Sequence, residues 1–393
     1  ERENVCPRPR PEPRAIVTAV SILLRGRCSE FKGKIFRKND VIAHFAKLEG
    51  IDLNVIRFKS EPLDEALKRY LQARKFVLED TIQCIKDSIA WRTTVAKECV
   101  AKGKAECLGA DVDEVSQFYA GGYAGFCKEG RPIWYEKTGS VDIGALHSLT
   151  TDAQFVDYHI CLMEELQDKY AESSKKFGKV INKTFSILDL EGVTMSKLNS
   201  ETFDFIKGIA KVDSANYPES MGLMFIVNAP SMFSMGWGVI QGFLDPRTVS
   251  KIQVLGGKTD YLPKLLAYVD EDQLPVELGG KYVGCLSSSK IFKEAVMASG
   301  DVVTEEVKVE EGTEVSYRFF CRNNGDVSFE VFFTDSSGKK SSLCPLKAFP
   351  AAECSNGKLV DGVVTSPGAG TVACVWTHPN WWSRTVVYRV KIK

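Results

Sequence analysis

Nothing in these 393 residues approaches the ~20 consecutive apolar residues that a membrane-spanning helix needs. The apolar run nearest the start, Ala15 to Leu24, is only about ten residues long. Pro7, Pro9, Pro11 and Pro13 precede it, and Arg25-Gly26-Arg27 follows without a small-x-small cleavage site, so it is not expected to be an export signal. An excess of one charge is missing too. Lys and Arg total 51, as do Asp and Glu, so no nucleic-acid partner is expected and any attraction to anionic membranes must be local.

Catalytic and metal motifs are equally scarce. The twelve cysteines form no CxxC pair, which removes zinc-ribbon and thioredoxin-type readings. Cys84, Cys161 and Cys374 sit in apolar surroundings, where cysteine acts as a small hydrophobe, so reduced thiols in a cytoplasmic protein are expected. The alternative is a disulfide among Cys321, Cys344, Cys354 and Cys374. His44, His147, His159 and His378 make no HExxH or similar ligand spacing, and His159 is expected to be a packing residue. Gly256-Gly257-Lys258-Thr259 imitates the end of a phosphate-binding loop, but Ile252 stands where that motif needs glycine. Gly368-Ala369-Gly370-Thr371-Val372-Ala373 opens a β-stretch rather than a helix, so it is no dinucleotide fingerprint. Asp189 and Glu191 have no nucleophile beside them and are expected to be structural. Neither catalytic residues nor a metal or cofactor site is expected.

What is present is globular: 44% hydrophobic and 26% charged residues, in a chain long enough for two to three domains. Residues 1–14 read as an extended Pro/Arg-rich arm. Up to residue 40, ten Lys/Arg against five Asp/Glu give a modest basic bias. Ser60 is expected to cap a helix bearing Leu63, Leu67, Tyr70 and Leu71 on one face. A second helix follows, with Leu78, Ile82, Ile85 and Ile89 inward and Trp91 near its end. From about residue 115, strands at 132–137, 184–190, 222–227 and 251–255 alternate with helices at 152–170 and 201–212. That alternation predicts a largely parallel sheet. After about residue 300 the period changes to two, in Val315-Tyr317-Phe319-Cys321, Val327-Phe329-Val331-Phe333 and Val386-Tyr388-Val390-Ile392. Period-two segments broken by Gly, Pro and Asn clusters predict an antiparallel β-sandwich, expected to be a separate module behind a Ser287-Ser288-Ser289 linker.

Residues 216–257 carry most of the functional information. A Tyr217-Pro218 turn leads into the strand Met224-Phe225-Ile226-Val227 and the turn Asn228-Ala229-Pro230. Next comes a helical stretch whose Phe233, Trp237, Ile240 and Leu244 share one face, then the charged cluster Asp245, Arg247, Thr248 and Lys251. NYPE, the NAP turn and FLDPRTVSKI, in this order, resemble the CRAL-TRIO lipid-transfer family of secretory-fourteen-like phosphatidylinositol transfer proteins. LKRYLQARKF and SIAWR resemble the helical module that precedes its lobe, although Gln72 stands where the family commonly has Arg. LPVELGGKY, at 274–282, resembles the close of the lobe. A sandwich behind such a lobe resembles the GOLD domain of supernatant protein factor and the patellins.

The resemblance implies a gated lipid pocket. It assigns Arg74, Lys75, Lys251, Thr248 and Glu219 to an inositol phosphate headgroup. A second lipid, phosphatidylcholine or a neutral hydrophobic molecule, would meet Tyr123, Trp134, Thr184 and Ser186, with Trp134 replacing a usual tyrosine. Phe233, Trp237, Ile240, Phe243 and Leu244 would form the gate, and Met235 and Trp237 would meet the bilayer when it opens. The implied partition is an arm at 1–38, a helical module at 39–110, the α/β lobe at 111–284, a linker at 285–300 and the sandwich at 301–393. The implied function is lipid exchange by a cytoplasmic protein in peripheral contact with membranes. The alternative is a lipid-sensing adaptor whose sandwich recruits a protein or membrane partner.

Overall fold

The computed structural model describes residues 48, 50–287, 290–355, 357–378 and 380–393. The arm expected at 1–38, with its apolar run, and Ser288 and Ser289 of the linker lie outside the described residues. Packing divides the chain into two compact units. The first takes the described residues up to Cys107 with Gly121–Gly139 and Val156–Cys285; the second takes Leu108–Ala120, Ser140–Phe155 and Leu286–Lys393. Neither is continuous in sequence, so the sequential partition stays a proposal. Among the described residues no helix is long and apolar enough to cross a membrane, and the ten described cysteines are free thiols.

In the first unit a short 3-10 turn (Leu53–Ile56) precedes α1 (Leu63–Ala73) and α2 (Leu78–Trp91). Each α-helix bears two acidic residues in its first turn, where they favour the helix dipole. Leu67, Tyr70, Leu71, Ile82 and Ile85 bury the shared face. Ser60 is not the cap of α1: it lies in a left-handed turn (φ 65°), and Pro62 directly precedes the helix. Proline supplies the extended entry conformation there without any side-chain bond. After Trp91 the helix widens over Arg92–Ala96, where the Thr93 and Thr94 hydroxyls each donate 2.8 Å bonds to the carbonyls of Ile89 and Ala90.

A five-stranded sheet follows: β1 (Gly121–Phe126), β2 (Pro132–Glu136), β3 (Thr184–Asp189), β4 (Met221–Val227) and β5 (Ile252–Val254), in that spatial order. β1 pairs antiparallel with β2 and the other neighbours are parallel. Three glycines in GGYAGF hide β1 from pattern reading. The crossovers are α3 (Asp152–Phe177), α4 (Ser200–Asn216) and α5 (Phe233–Phe243). Because the strand order advances steadily, crossovers of one hand place these helices on one side of the sheet. The helix after β5, α6 (Lys258–Tyr268), covers the other side, where Tyr268 meets Phe225 with ring centroids 5.5 Å apart.

The second unit contains the antiparallel sandwich. One sheet runs β10 (Lys340–Phe349), β9 (Val327–Asp335), β12 (Gly370–Thr377), β7 (Val302–Val309); the other runs β11 (Val360–Thr365), β8 (Glu314–Cys321), β13 (Arg384–Ile392), β6 (Lys293–Met297). β6 lies inside the stretch 285–300 that was expected to be a linker. Trp376 is fully buried at the centre, 5.1 Å from Phe329 and 4.5 Å from Tyr388 between ring centroids. Each such fully buried apolar side chain stabilises the sandwich by ~1.5–3 kcal/mol. The outward face of β8 is covered as well, since Phe320 packs with Phe118 and Phe292 of the same unit.

Candidate functional site

A chain of charges links the end of α1 to the starts of β4 and β5. Lys75 Nζ lies 3.5 Å from Asp245, and Arg247 Nε lies 3.4 Å from the same carboxylate. Arg247 continues to Glu219 at 3.5 Å, and Glu219 accepts from Lys251 Nζ at 2.7 Å. Lys251 also donates to the Met221 carbonyl at 3.3 Å, leaving the third of its three N–H donors for a ligand. Thr248, on the short helix Pro246–Val249, accepts at its carbonyl from the Lys251 amide at 3.0 Å. Burial opposes ionisation of Asp245, yet the Arg247 amide and guanidinium and the Lys75 ammonium hold its carboxyl below the usual range. Arg74 takes another direction and meets the thiol of Cys84, which burial pushes up and Arg74 pulls back.

Two members of this row stand in the left-handed region that favours glycine: Lys75 (φ 51°) and Glu219 (φ 59°). Lys75 gets there by closing α1. Its amide bonds Gln72 O at 3.1 Å while the Phe76 amide bonds Leu71 O at 2.8 Å, the Schellman pattern. Glu219 gets there because the segment before it is clamped. Arg69, 2% exposed, donates to Pro218 O at 2.9 Å and to Glu61 at 2.7 Å, and stacks 3.7 Å over Phe58. Arg92 donates to Asn216 O at 3.2 Å and to Glu164 at 3.0 Å, and Glu164 accepts from the Tyr217 hydroxyl at 2.8 Å.

The sheet face toward α5 carries the other candidates. Tyr123, Trp134, Ser186, Met224 and Ile252 are aligned in successive strand registers, and aligned positions share a face. Thr184 lies two residues before Ser186 on the same face. The Tyr123 and Trp134 rings meet edge-on at 5.0 Å, and Trp134 Nε1 donates to Glu136 at 3.4 Å. Phe233, Trp237 and Ile240 of α5 pack over Leu188, Met224, Ile226 and Ile252. Phe243 ends the helix and Leu244 follows it, both half-buried. Trp237 faces the sheet with Phe233 and Ile240, as expected of a residue that would meet a bilayer only on opening; the outward apolar residues are Met235 and Val239, 60% and 51% exposed.

The two faces of the sheet differ. Under α6, Phe185, Ile187 and Phe225 are completely buried. Under α5, Leu188, Met224 and Ile252 are only half-buried; farther along the same face so are Tyr123, which packs with Leu166 and Tyr170 of α3, and Trp134 beside it. Half-buried apolar residues in the middle of the sheet thus gather on the α5 side, with Leu223, aligned with Phe185, as a half-buried residue of the α6 side. Asp189 belongs to neither surface; it is buried and accepts from Tyr135 Oη at 3.1 Å, Asn228 Nδ2 at 2.8 Å and the Glu191 amide at 2.9 Å.

The CRAL/TRIO domain model matches residues 117–280. The phosphatidylinositol/phosphatidylcholine transfer protein SFH12 of Arabidopsis thaliana is 40% identical over 228 residues, covering 56% of this chain and 41% of that protein. SFH7 of the same plant, a protein of the same description, is 35% identical over 268 residues, 64% of this chain and 48% of that one. The Sec14 cytosolic factor of Schizosaccharomyces pombe is 33% identical over 224 residues, which are 56% of this chain and 76% of that protein. The chain belongs to the CRAL/TRIO family. It spans less than half the length of the two Arabidopsis relatives. Within this CRAL/TRIO chain, pattern reading missed the clamps Arg69 and Arg92, whose contacts with Pro218 and Asn216 lie far away in sequence. Arg247 was visible beside Lys251, but its contact with Glu219 was not.

Proposed function

We propose that this chain sequesters phosphatidylinositol and exchanges it at membranes for a second lipid, phosphatidylcholine or a neutral hydrophobic molecule, with α5 as the gate. The observation that carries this reading is the set of half-buried apolar residues Leu188, Met224 and Ile252 on the sheet face beneath α5, set against Phe185, Ile187 and Phe225, completely buried on the α6 side. Acyl chains laid there would gain roughly 0.8 kcal/mol per buried methylene. The row from Lys75 to Lys251 would take the headgroup. Its ammonium and guanidinium groups suit a phosphodiester, and the free lone pairs of Glu219 suit ring hydroxyls. Tyr123, Trp134, Thr184 and Ser186 would meet the second lipid. The names of the Arabidopsis relatives, which describe phosphatidylinositol and phosphatidylcholine transfer, support the same cargo. The protein would work in the cytoplasm, without catalysis.

Vesicle-to-vesicle transfer tests the headgroup assignment. A charge-assisted hydrogen bond contributes ~1.5–3 kcal/mol, so Lys251→Ala and Glu219→Ala should each slow phosphatidylinositol transfer about tenfold or more. Transfer of the second lipid should persist. Unchanged phosphatidylinositol transfer in both variants would sink the assignment.

One observation favours the second reading, a lipid-sensing adaptor. In the loop between β12 and β13 of the sandwich, which we propose to be GOLD-like, Trp381 and Trp382 are 92% and 72% exposed. Exposed indoles favour membrane interfaces and protein contacts alike. An adaptor would hold its lipid tightly and move little of it between vesicles.

A further inference from the structure

Beside the headgroup row, and next to its Lys251, lie two cations that the reading above does not use, Arg131 and Lys183. The residues immediately before three of the four parallel strands are basic: Arg131 before β2, Lys183 before β3 and Lys251 before β5. Ile133 is in register with Phe185, so Arg131 and Lys183, two residues earlier on each strand, stand level. Neighbouring strands are ~4.8 Å apart. The Arg131 side chain crosses as far as β4: a Cβ at Gly222 would stand 3.1 Å from both its Cδ and its Nη1. Glycine at 222 avoids first the Thr184 carbonyl, 2.7 Å from that Cβ position, and leaves the guanidinium its place alongside. The residue before it, Met221, accepts at its carbonyl from Lys251 Nζ. The Arg131 guanidinium and the Lys251 ammonium thus bracket the first two residues of β4.

The local charge is unbalanced. In the headgroup row, Lys75, Arg247 and Lys251 face Asp245 and Glu219, a net single positive charge that a phosphodiester would neutralise. Arg131 pairs outward with Glu129, whose side chain is 58% exposed. Lys183 is half-buried and has no ion-pair partner among the described residues. Burial and the neighbouring Lys251, Arg131 and Lys68 push its ammonium below the usual lysine range, with Glu219 opposing. A half-buried cation beside other cations is costly unless an anion joins them.

We propose that Arg131 and Lys183, with Lys251, form a second anion pole that takes a phosphate monoester on the inositol ring, so that the site accepts phosphatidylinositol monophosphates as well as phosphatidylinositol. The inference rests on the headgroup reading above and extends it from one phosphate to two. A phosphomonoester carries roughly −1.5 to −2 at neutral pH; Lys183 supplies one unpaired charge toward it, and Arg131 a second once its exposed pair with Glu129 opens.

The test uses the full chain and donor vesicles of phosphatidylcholine containing either phosphatidylinositol or phosphatidylinositol 4-phosphate at equal mole fraction. The wild-type chain should extract both. Lys183→Met, which keeps the length of the stem, should lower extraction of the monophosphate about tenfold while phosphatidylinositol stays within about twofold. Arg131→Gln should act in the same direction, and Lys183→Arg should retain extraction. Equal loss of both lipids, or no loss of the monophosphate, overturns the second pole. If the wild-type chain extracts phosphatidylinositol but not the monophosphate, only this inference fails; if it extracts neither, the headgroup reading fails with it. Millimolar inorganic phosphate should not block extraction of the monophosphate. If it does so as completely as inositol 1,4-bisphosphate, the pole is a site for free anions and the lipid assignment is overturned.

Discussion

Glu219 shows how one residue can be held against its own preference. A non-glycine residue in the left-handed region costs about 1–2 kcal/mol, and Lys251, Arg247 and the Arg69 clamp on Pro218 offset that cost. The same physics acts on His159, read from sequence as a packing residue but bonded to Asp213 at 2.7 Å. Burial disfavours its imidazolium, yet the Asp213 carboxylate and their hydrogen bond outweigh burial and raise its pKa. A raised folded pKa means that this stabilisation is complete below the ordinary histidine value of about 6.5 and is lost as pH rises through the folded value. Asp213 is 38% exposed, so the effect should stay below about 1 kcal/mol. Urea unfolding at pH 5.5 and 8.5 should show Asp213→Asn losing stability at the lower pH only. An equal loss at both would assign Asp213 a packing role.

Among the elements, α5 is built unlike a core helix. Its inward face is Phe233, Gly236, Trp237 and Ile240, and Gly236 has a packing reason, since a Cβ there would stand 3.0 Å from the Leu198 side chain. Gly238 and Gly242 have none; a Cβ at either would meet nothing within 4 Å. Each glycine weakens the helix by roughly 0.8–1 kcal/mol relative to alanine. Such a weakness suits a gate that must leave its seat. Gly238→Ala combined with Gly242→Ala should therefore leave lipid capacity unchanged and slow exchange with vesicles about tenfold. Hydrogen exchange gives a direct reading: amides from Phe233 to Phe243 should exchange faster when vesicles are added, and less so in the double variant. Equal protection of α5 and the sheet in the presence of vesicles, with normal transfer, would rule out the gate.

On the scale of the whole molecule, the sandwich is less separable than its change of period suggests. In the second unit Glu114 is fully buried and ion-pairs with Arg318 of β8 and Arg389 of β13. Phe118 packs with Phe292 and Phe320 at 5.8 and 6.0 Å between ring centroids. A chain ending at Tyr282 would keep Glu114 and Phe118 but lose all four partners. Uncovering a buried ion pair in this way costs about 3–5 kcal/mol. Size-exclusion chromatography should find such a chain aggregated or unstable. A monodisperse, lipid-loaded truncation would instead support the independent module expected from sequence.

What the sequence determined by itself was local. Alternating strand and helix periods, the NAP turn and the period-two segments gave the α/β sheet, the sandwich and the helix that covers Met224. Each of these signals acts within a few residues through turn chemistry and side-chain spacing. β1 escaped because its glycines carry no pattern, and β6 because KEAVM is short and mostly exposed. Tertiary structure alone decided that Lys75, Asp245, Glu219 and Lys251 form one row while Arg74 turns to Cys84. It decided too that Arg69 and Arg92 clamp the segment before Glu219, and that residues 108–120 pack with the sandwich. These outcomes depend on charged groups leaving water together, and which charges meet is set by how the elements pack, not by their spacing along the chain.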